Sequence, residues 1–126
     1  CRKSGFVSNI FGRRSHITGI NDKNYNIRNF QERAAINAPI QGSASEIMRI
    51  AMIRLNKKLD DEKYKNCKML LQIHDELIFE IPKNEEKSIT KVIMDEMVSV
   101  KDSDLHSFST PLTVDINTGE NWGLLH

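Results

Sequence analysis

The sequence has little of what would define a disulfide scaffold, a membrane protein or a repeat. Only two of its 126 residues are cysteines, Cys1 and Cys67, far apart and without metal-type spacing. No disulfide framework or zinc ribbon follows from such a pair, and a reducing cytosol is the expected setting. The longest apolar runs are a few residues, such as Met69-Leu70-Leu71. A transmembrane helix cannot be built from them, so no membrane partner is expected. Cys1-Arg2-Lys3-Ser4 leads into no apolar stretch, which excludes a secretory signal there. The chain also opens without an initiator Met, which predicts that it was cut from a longer one. Internal repeats, low-complexity tracts and linkers are absent. His74-Asp75-Glu76-Leu77 spells a retention tag but is internal, and such tags are read only at a C-terminus.

What is present fits one small domain with its own core. Hydrophobic residues make up 39% and charged residues 28%, ordinary for a globular chain. The net charge of +1 hides an asymmetry. Residues 1–58 carry 11 Lys and Arg against 3 Asp and Glu, a balance of +8; residues 59–126 carry 7 against 14, a balance of −7. A basic first half suits a polyanion such as nucleic acid, or is a solvated basic face. An acidic second half repels phosphate unless its carboxylates hold metal ions.

The periodicity predicts elements in a definite order. Residues 1–25, with Gly5, Gly12 and Gly19, read as a loop-rich segment with a short helix or hairpin around Phe6 to Phe11. A helix is predicted over 26–38, and Pro39 should break or kink it. A second helix runs from about Gly42 to Leu59, with Ile47, Ile50, Ala51 and Leu55 at the helical period. Residues 68–81 read as a hairpin whose tight connection is His74-Asp75-Glu76, closed by Pro82. A third helix covers about 84–100, with Ile89, Val92, Ile93, Met97 and Val100 on one face. Residues 101–110 read as a polar loop, and 111–117 alternate as a strand. Trp122 reads as a core anchor or an end-cap. The order predicts an α+β fold, an antiparallel sheet covered by helices on one face.

Two groups of residues could carry chemistry. Asp75 and Glu76 stand where two apolar strands meet. They are either a wet acidic turn or hard oxygen donors for Mg²⁺, which takes one or two protein carboxylates and the rest from phosphate and water. His74 beside them is too little for zinc. Arg33, Asn37 and Gln41 are spaced i, i+4, i+8. On a helix continuing through Pro39 they form one polar row. Asn and Gln can meet base edges and Arg a phosphate, though a solvated face gives the same pattern. Gly42 behind the row would admit close approach of another backbone or a nucleic acid strand.

Taken together, these stretches resemble one family. Leu71-Gln72-Ile73-His74-Asp75-Glu76-Leu77-Ile78-Phe79-Glu80 is similar to the palm hairpin of bacterial-type family A DNA polymerases. Arg33-Ala34-Ala35-Ile36-Asn37-Ala38-Pro39-Ile40-Gln41-Gly42-Ser43-Ala44 resembles that family's helix pair just upstream. Phe11-Gly12-Arg13-Arg14 resembles the loop leaving the fingers, and Gly119-Glu120-Asn121-Trp122 the end of bacterial members. Ser43, Ser45 and Glu46 depart mildly from the Thr, Ala and Asp of many members.

The resemblance implies an incomplete polymerase right hand: residues 1–30 the end of the fingers, residues 31–126 the palm. It implies DNA-directed DNA synthesis in replication or repair, by two-metal nucleotidyl transfer to a primer 3′ end. Asp75 would bind the two Mg²⁺ ions, Glu76 would be an auxiliary carboxylate, and His74 would contact the primer terminus. Arg33, Asn37 and Gln41 would touch the primer–template, and the incoming deoxynucleoside triphosphate would be the second substrate. A second aspartate and the nucleotide-gripping helix belong to upstream segments, so these 126 residues are expected to be inactive alone. A single-subunit RNA polymerase palm, which typically has His-Asp-Ser, and a non-catalytic nucleic-acid binder are the rival readings.

Overall fold

A computed structural model describes residues 1–103, 106–107 and 109–125 of the chain. Its element order is β1 (Phe6–Ser8), β2 (Arg14–His16), α1 (Tyr25–Leu59), β3 (Lys68–Ile73), β4 (Glu76–Glu80), α2 (Glu86–Val98), β5 (Asp102–Ser103) and β6 (His106–Ser107), with short 3₁₀ turns between and after them. The strands form three separate two-stranded antiparallel sheets, β1–β2, β3–β4 and β5–β6. The chain divides into two compact units, Cys1–Arg49 and Ile50–His126, and the boundary falls within α1.

In the first unit, residues 6–16 form a hairpin with Phe6 opposite His16 and Ser8 opposite Arg14. Its connection, residues 9–13, turns through Gly12 at φ 82, a conformation that favours glycine. On one face the Arg14 guanidinium lies 4.5 Å from the Phe6 ring centroid, and His16 meets the same ring edge-on. Ile17, Ile20 and Met48 are buried in this unit. Helix α1 starts at a side-chain cap. Asn24 Oδ1 accepts from the Asn26 N–H at 2.9 Å, satisfying a donor that the first turn leaves free.

The predicted break at Pro39 does not occur. Helix α1 runs unbroken for 35 residues with Pro39 inside it. Proline in a helix interior forfeits one hydrogen bond and crowds the preceding turn, a cost of roughly 3 kcal/mol. Contacts just past the proline offset that local cost. Asn9 Nδ2 donates to Gly42 O, Ser43 Oγ accepts from Ile10 N, and Arg13 pairs with Glu46.

In the second unit, the end of α1 packs with the β3–β4 hairpin and α2. Leu55, Tyr64, Cys67, Ile89 and Ile93 form the core, with Met69, Leu77, Phe79, Ile81, Val92 and Met97 packed against it. The face expected for the third helix is the face that packs, and Val100 is fully buried. Register explains which side of the hairpin faces inward. Met69 pairs with Phe79 and Gln72 with Leu77, whereas Leu71 pairs with Ile78. The shift between Met69 and Leu71 makes Leu70 a bulge residue, which resets the alternation midway along β3. The ends of α2 are tied by side chains. Arg54 Nη1 donates to Ser99 O and Ser99 Oγ at 2.9 Å, and Thr118 Oγ1 donates to Glu86 Oε1 at 2.9 Å.

Three expectations need correction. Residues 111–117 alternate between exposed and half-buried as a strand would, but they form no ladder with any described residue. A strand is defined by its hydrogen-bonded neighbour, and none of the described residues pairs with this segment. The hairpin sheet therefore has two strands, without the expected C-terminal third. Trp122, 49% exposed, is not a core anchor. The expected polar loop at 101–110 contains the two-residue pairing of β5 with β6, while residues 104, 105 and 108 lie outside the described set. No described helix is long and apolar enough to cross a membrane.

Candidate active site

The β3–β4 turn gathers the first predicted group. Ile73 pairs with Glu76, so only His74 and Asp75 connect the strands. Two-residue hairpin turns of the primed types need a positive φ at their first central position, usually supplied by Gly. His74 supplies it here, at φ 50, the one non-glycine residue with positive φ among those described. Histidine is among the side chains that tolerate this region better than most, yet the conformation costs about 1–2 kcal/mol. Backbone strain of this kind clusters at functional sites. Gln72 Nε2 donates to His74 O at 3.3 Å and ties the turn to its own strand. Sequence reasoning missed Gln72. Its signal was present, as the one polar residue interrupting Met69-Leu70-Leu71-Gln72-Ile73.

His74, Asp75 and Glu76 are all exposed. Neither carboxylate forms an ion pair or a hydrogen bond with a described residue. The turn is thus the wet acidic turn of one reading and, equally, a pair of uncommitted hard donors. These donors suit Mg²⁺ as part of a coordination shell. They do not complete one. Among the described residues no group of three or more His, Cys, Asp or Glu converges on a possible metal position.

The second predicted group lies in the first unit. Because α1 is unbroken, Arg33, Asn37 and Gln41 fall on one face, each step of four residues turning about 40° around the axis. All three are exposed, and no described residue bonds to any of their side chains. The structure therefore brings together His74, Asp75 and Glu76 at one turn, and Arg33, Asn37 and Gln41 on one helix face. Gly42 behind that face has Asn9 against it. A Cβ there would lie 3.6 Å from Asn9 Cβ, an ordinary contact, so packing alone does not require the glycine.

The hairpin tip thus carries two exposed carboxylates, and the long helix an exposed Arg-Asn-Gln row. The family can be stated outright. The model for DNA polymerase family A matches residues 1–124, and the chain belongs to that family. It is 45% identical over 124 residues to DNA polymerase I of Streptococcus pneumoniae serotype 4, covering 96% of this chain and 13% of that protein. It is 41% identical over 122 residues to DNA polymerase I of Mycobacterium leprae, covering 97% and 13%. Among solved structures, the POL domain of Pol1 from M. smegmatis, in complex with DNA primer-template and dNTP, matches with a TM-score of 0.88 at 34% identity, covering 98% of this chain and 21% of that one. The chain thus spans about 13% of the length of the curated relatives it matches.

Proposed function

We propose that the chain is part of a DNA-directed DNA polymerase, contributing the end of the fingers (residues 1–30) and the palm residues around the reacting primer end (residues 31–126). The observation that carries the reading is the uncommitted Asp75 carboxylate, exposed at the tip of a hairpin whose turn is fixed by His74 and Gln72. Its partners would be primer–template DNA, a deoxynucleoside triphosphate and upstream segments of the parent polymerase.

Asp75 would hold Mg²⁺, with Glu76 as an auxiliary carboxylate beside it. Two such ions, when bound, lower the pKa of the primer 3′-hydroxyl and neutralise charge on the triphosphate and leaving pyrophosphate. The short turn, tied by Gln72, would limit how far Asp75 moves when charge develops, and pre-organisation of that kind is where an electrostatic site gains its rate. His74 would meet the primer terminus and help hold its 3′ end in line. Arg33 would neutralise a backbone phosphate. Asn37 and Gln41 would bond to minor-groove acceptors, which are nearly independent of sequence, and so test pair geometry without reading bases. Relatives named DNA polymerase I favour DNA over RNA synthesis, and Glu76 agrees, standing where single-subunit RNA polymerases typically have Ser.

The test is Asp75→Ala in the polymerase that carries this segment. Primer extension should fall by at least about 10³-fold in kcat, a loss of about 4 kcal/mol in transition-state stabilisation. Duplex affinity should change little. Unchanged extension would remove Asp75 from the reaction. A protein that binds duplex DNA yet extends no primer, with or without Asp75, would be the non-catalytic binder.

A further inference from the structure

Asn9 is the one buried polar side chain among the described residues, 9% exposed, and every polar atom on it is used. Its Oδ1 accepts from Phe11 N at 3.0 Å and Arg13 N at 2.9 Å, which shapes the loop between β1 and β2. Its Nδ2 donates to Gly42 O on α1 at 3.1 Å. The next residue adds a second tie, Ile10 N donating to Ser43 Oγ at 3.2 Å. Ser43 Oγ in turn donates to Pro39 O at 2.6 Å. Farther along, Arg13 Nε lies 3.3 Å from Glu46 Oε2.

These ties grip α1 at one place and on one side. At about 100° per residue, Pro39, Gly42, Ser43 and Glu46 fall on the opposite side of the helix from Arg33, Asn37 and Gln41. The grip begins just beyond the turn before Pro39, where the Ala35 carbonyl has no proline N–H to bond. Asn37 lies within that weakened turn and Gln41 lies beyond it. They can act on one groove only if the helix stays in register across it. Arg33 lies wholly before the proline and needs no such support.

We propose that Asn9 is a positioning residue. Through Gly42, and with Ser43, it holds α1 in register past Pro39 so that Gln41 shares the contact face of Asn37. The inference rests on the reading of α1 as a primer–template contact, and it adds a residue with no reach to DNA of its own.

The experiment is a double-substitution cycle in the polymerase that carries this segment. Its readout is affinity for a fluorescein-labelled primer–template DNA duplex at fixed low salt. Asn9→Asp keeps the oxygen that accepts from Phe11 and Arg13 but removes the donor to Gly42. We expect Asn9→Asp and Gln41→Ala each to weaken binding about 3- to 10-fold, the size of one net hydrogen bond, and the double variant to be no weaker than Gln41→Ala alone. Asn9→Asp and Arg33→Ala should be additive, since they act on opposite sides of Pro39. Ser43→Ala should repeat the pattern, and it carries the test if Asn9→Asp loses its helical circular dichroism. Loss that adds to that of Gln41→Ala, or that couples equally to Arg33→Ala, would mean general loosening and would overturn the proposal. So would an unchanged affinity. Unchanged affinity in both Gln41→Ala and Arg33→Ala would instead overturn the DNA reading of α1, and this inference with it.

Discussion

His74 carries the one positive φ outside glycine among the described residues. The turn needs a left-handed residue, and the sequence places an imidazole there instead of a glycine. His74→Gly should relieve that strain and raise the urea midpoint, by up to about 1 kcal/mol once glycine's larger unfolded-state entropy is subtracted. His74→Val should lower it, because a β-branched side chain is a true outlier at positive φ. If both variants unfold at the wild-type urea concentration, the turn is not strained. Cys67 is a residue of the opposite kind. Burial pushes its thiol above the ordinary range, and the charge of Glu85 adds to the effect. With the folded value raised, the unfolded chain loses this proton first as pH climbs. The stability contributed is complete below the ordinary thiol value and is lost as pH rises through the folded value. The urea midpoint should therefore drop more between pH 7 and pH 10 (roughly the thiol range) in the unsubstituted chain than in Cys67→Ala. Equal drops would show that the thiol titrates as if exposed.

Among the elements, α1 departs most from local expectation. Pro39 argues for two helices and the fold makes one. Pro39→Ala restores a backbone donor and should stabilise the helix by about 1–3 kcal/mol, read as a higher melting temperature by circular dichroism at 222 nm. A lower melting temperature would mean that the proline ring packs favourably where it is. The hairpin and α2 were legible because their signals are local. Two short apolar runs flank a tight connection, and Ile89, Ile93 and Val100 repeat at the helical period. The bulge at Leu70 was not legible, since an extra residue in one strand appears only when its partner's register is known. Residues 111–117 have the alternation of a strand and no strand partner among the described residues.

For the whole molecule, the two predicted groups differ in how far sequence reached them. His74, Asp75 and Glu76 could be named from adjacency at a strand end. The Arg33–Asn37–Gln41 face depended on helix continuity that the sequence alone left open. The 126-residue chain spans about 13% of its curated relatives, and its hairpin offers two carboxylates where a two-metal reaction uses a fuller oxygen shell. The purified chain should therefore incorporate no nucleotide into a primer–template with Mg²⁺ or Mn²⁺. Metal-dependent extension in a gel assay would contradict the division of labour proposed above.

Composition, periodicity and short-range chemistry were enough for the α+β class, the acidic hairpin tip and the buried stripe of α2, because each is set by residues close together in the chain. Helix α1 staying whole through Pro39 and the tie from Asn9 to Gly42 depend on groups 33 residues apart, and the inward side of the hairpin on a register shift between one strand and the other. Such contacts are worth about a kcal/mol each, enough together to override a local preference, and neither a distant partner nor a strand register is written in local periodicity.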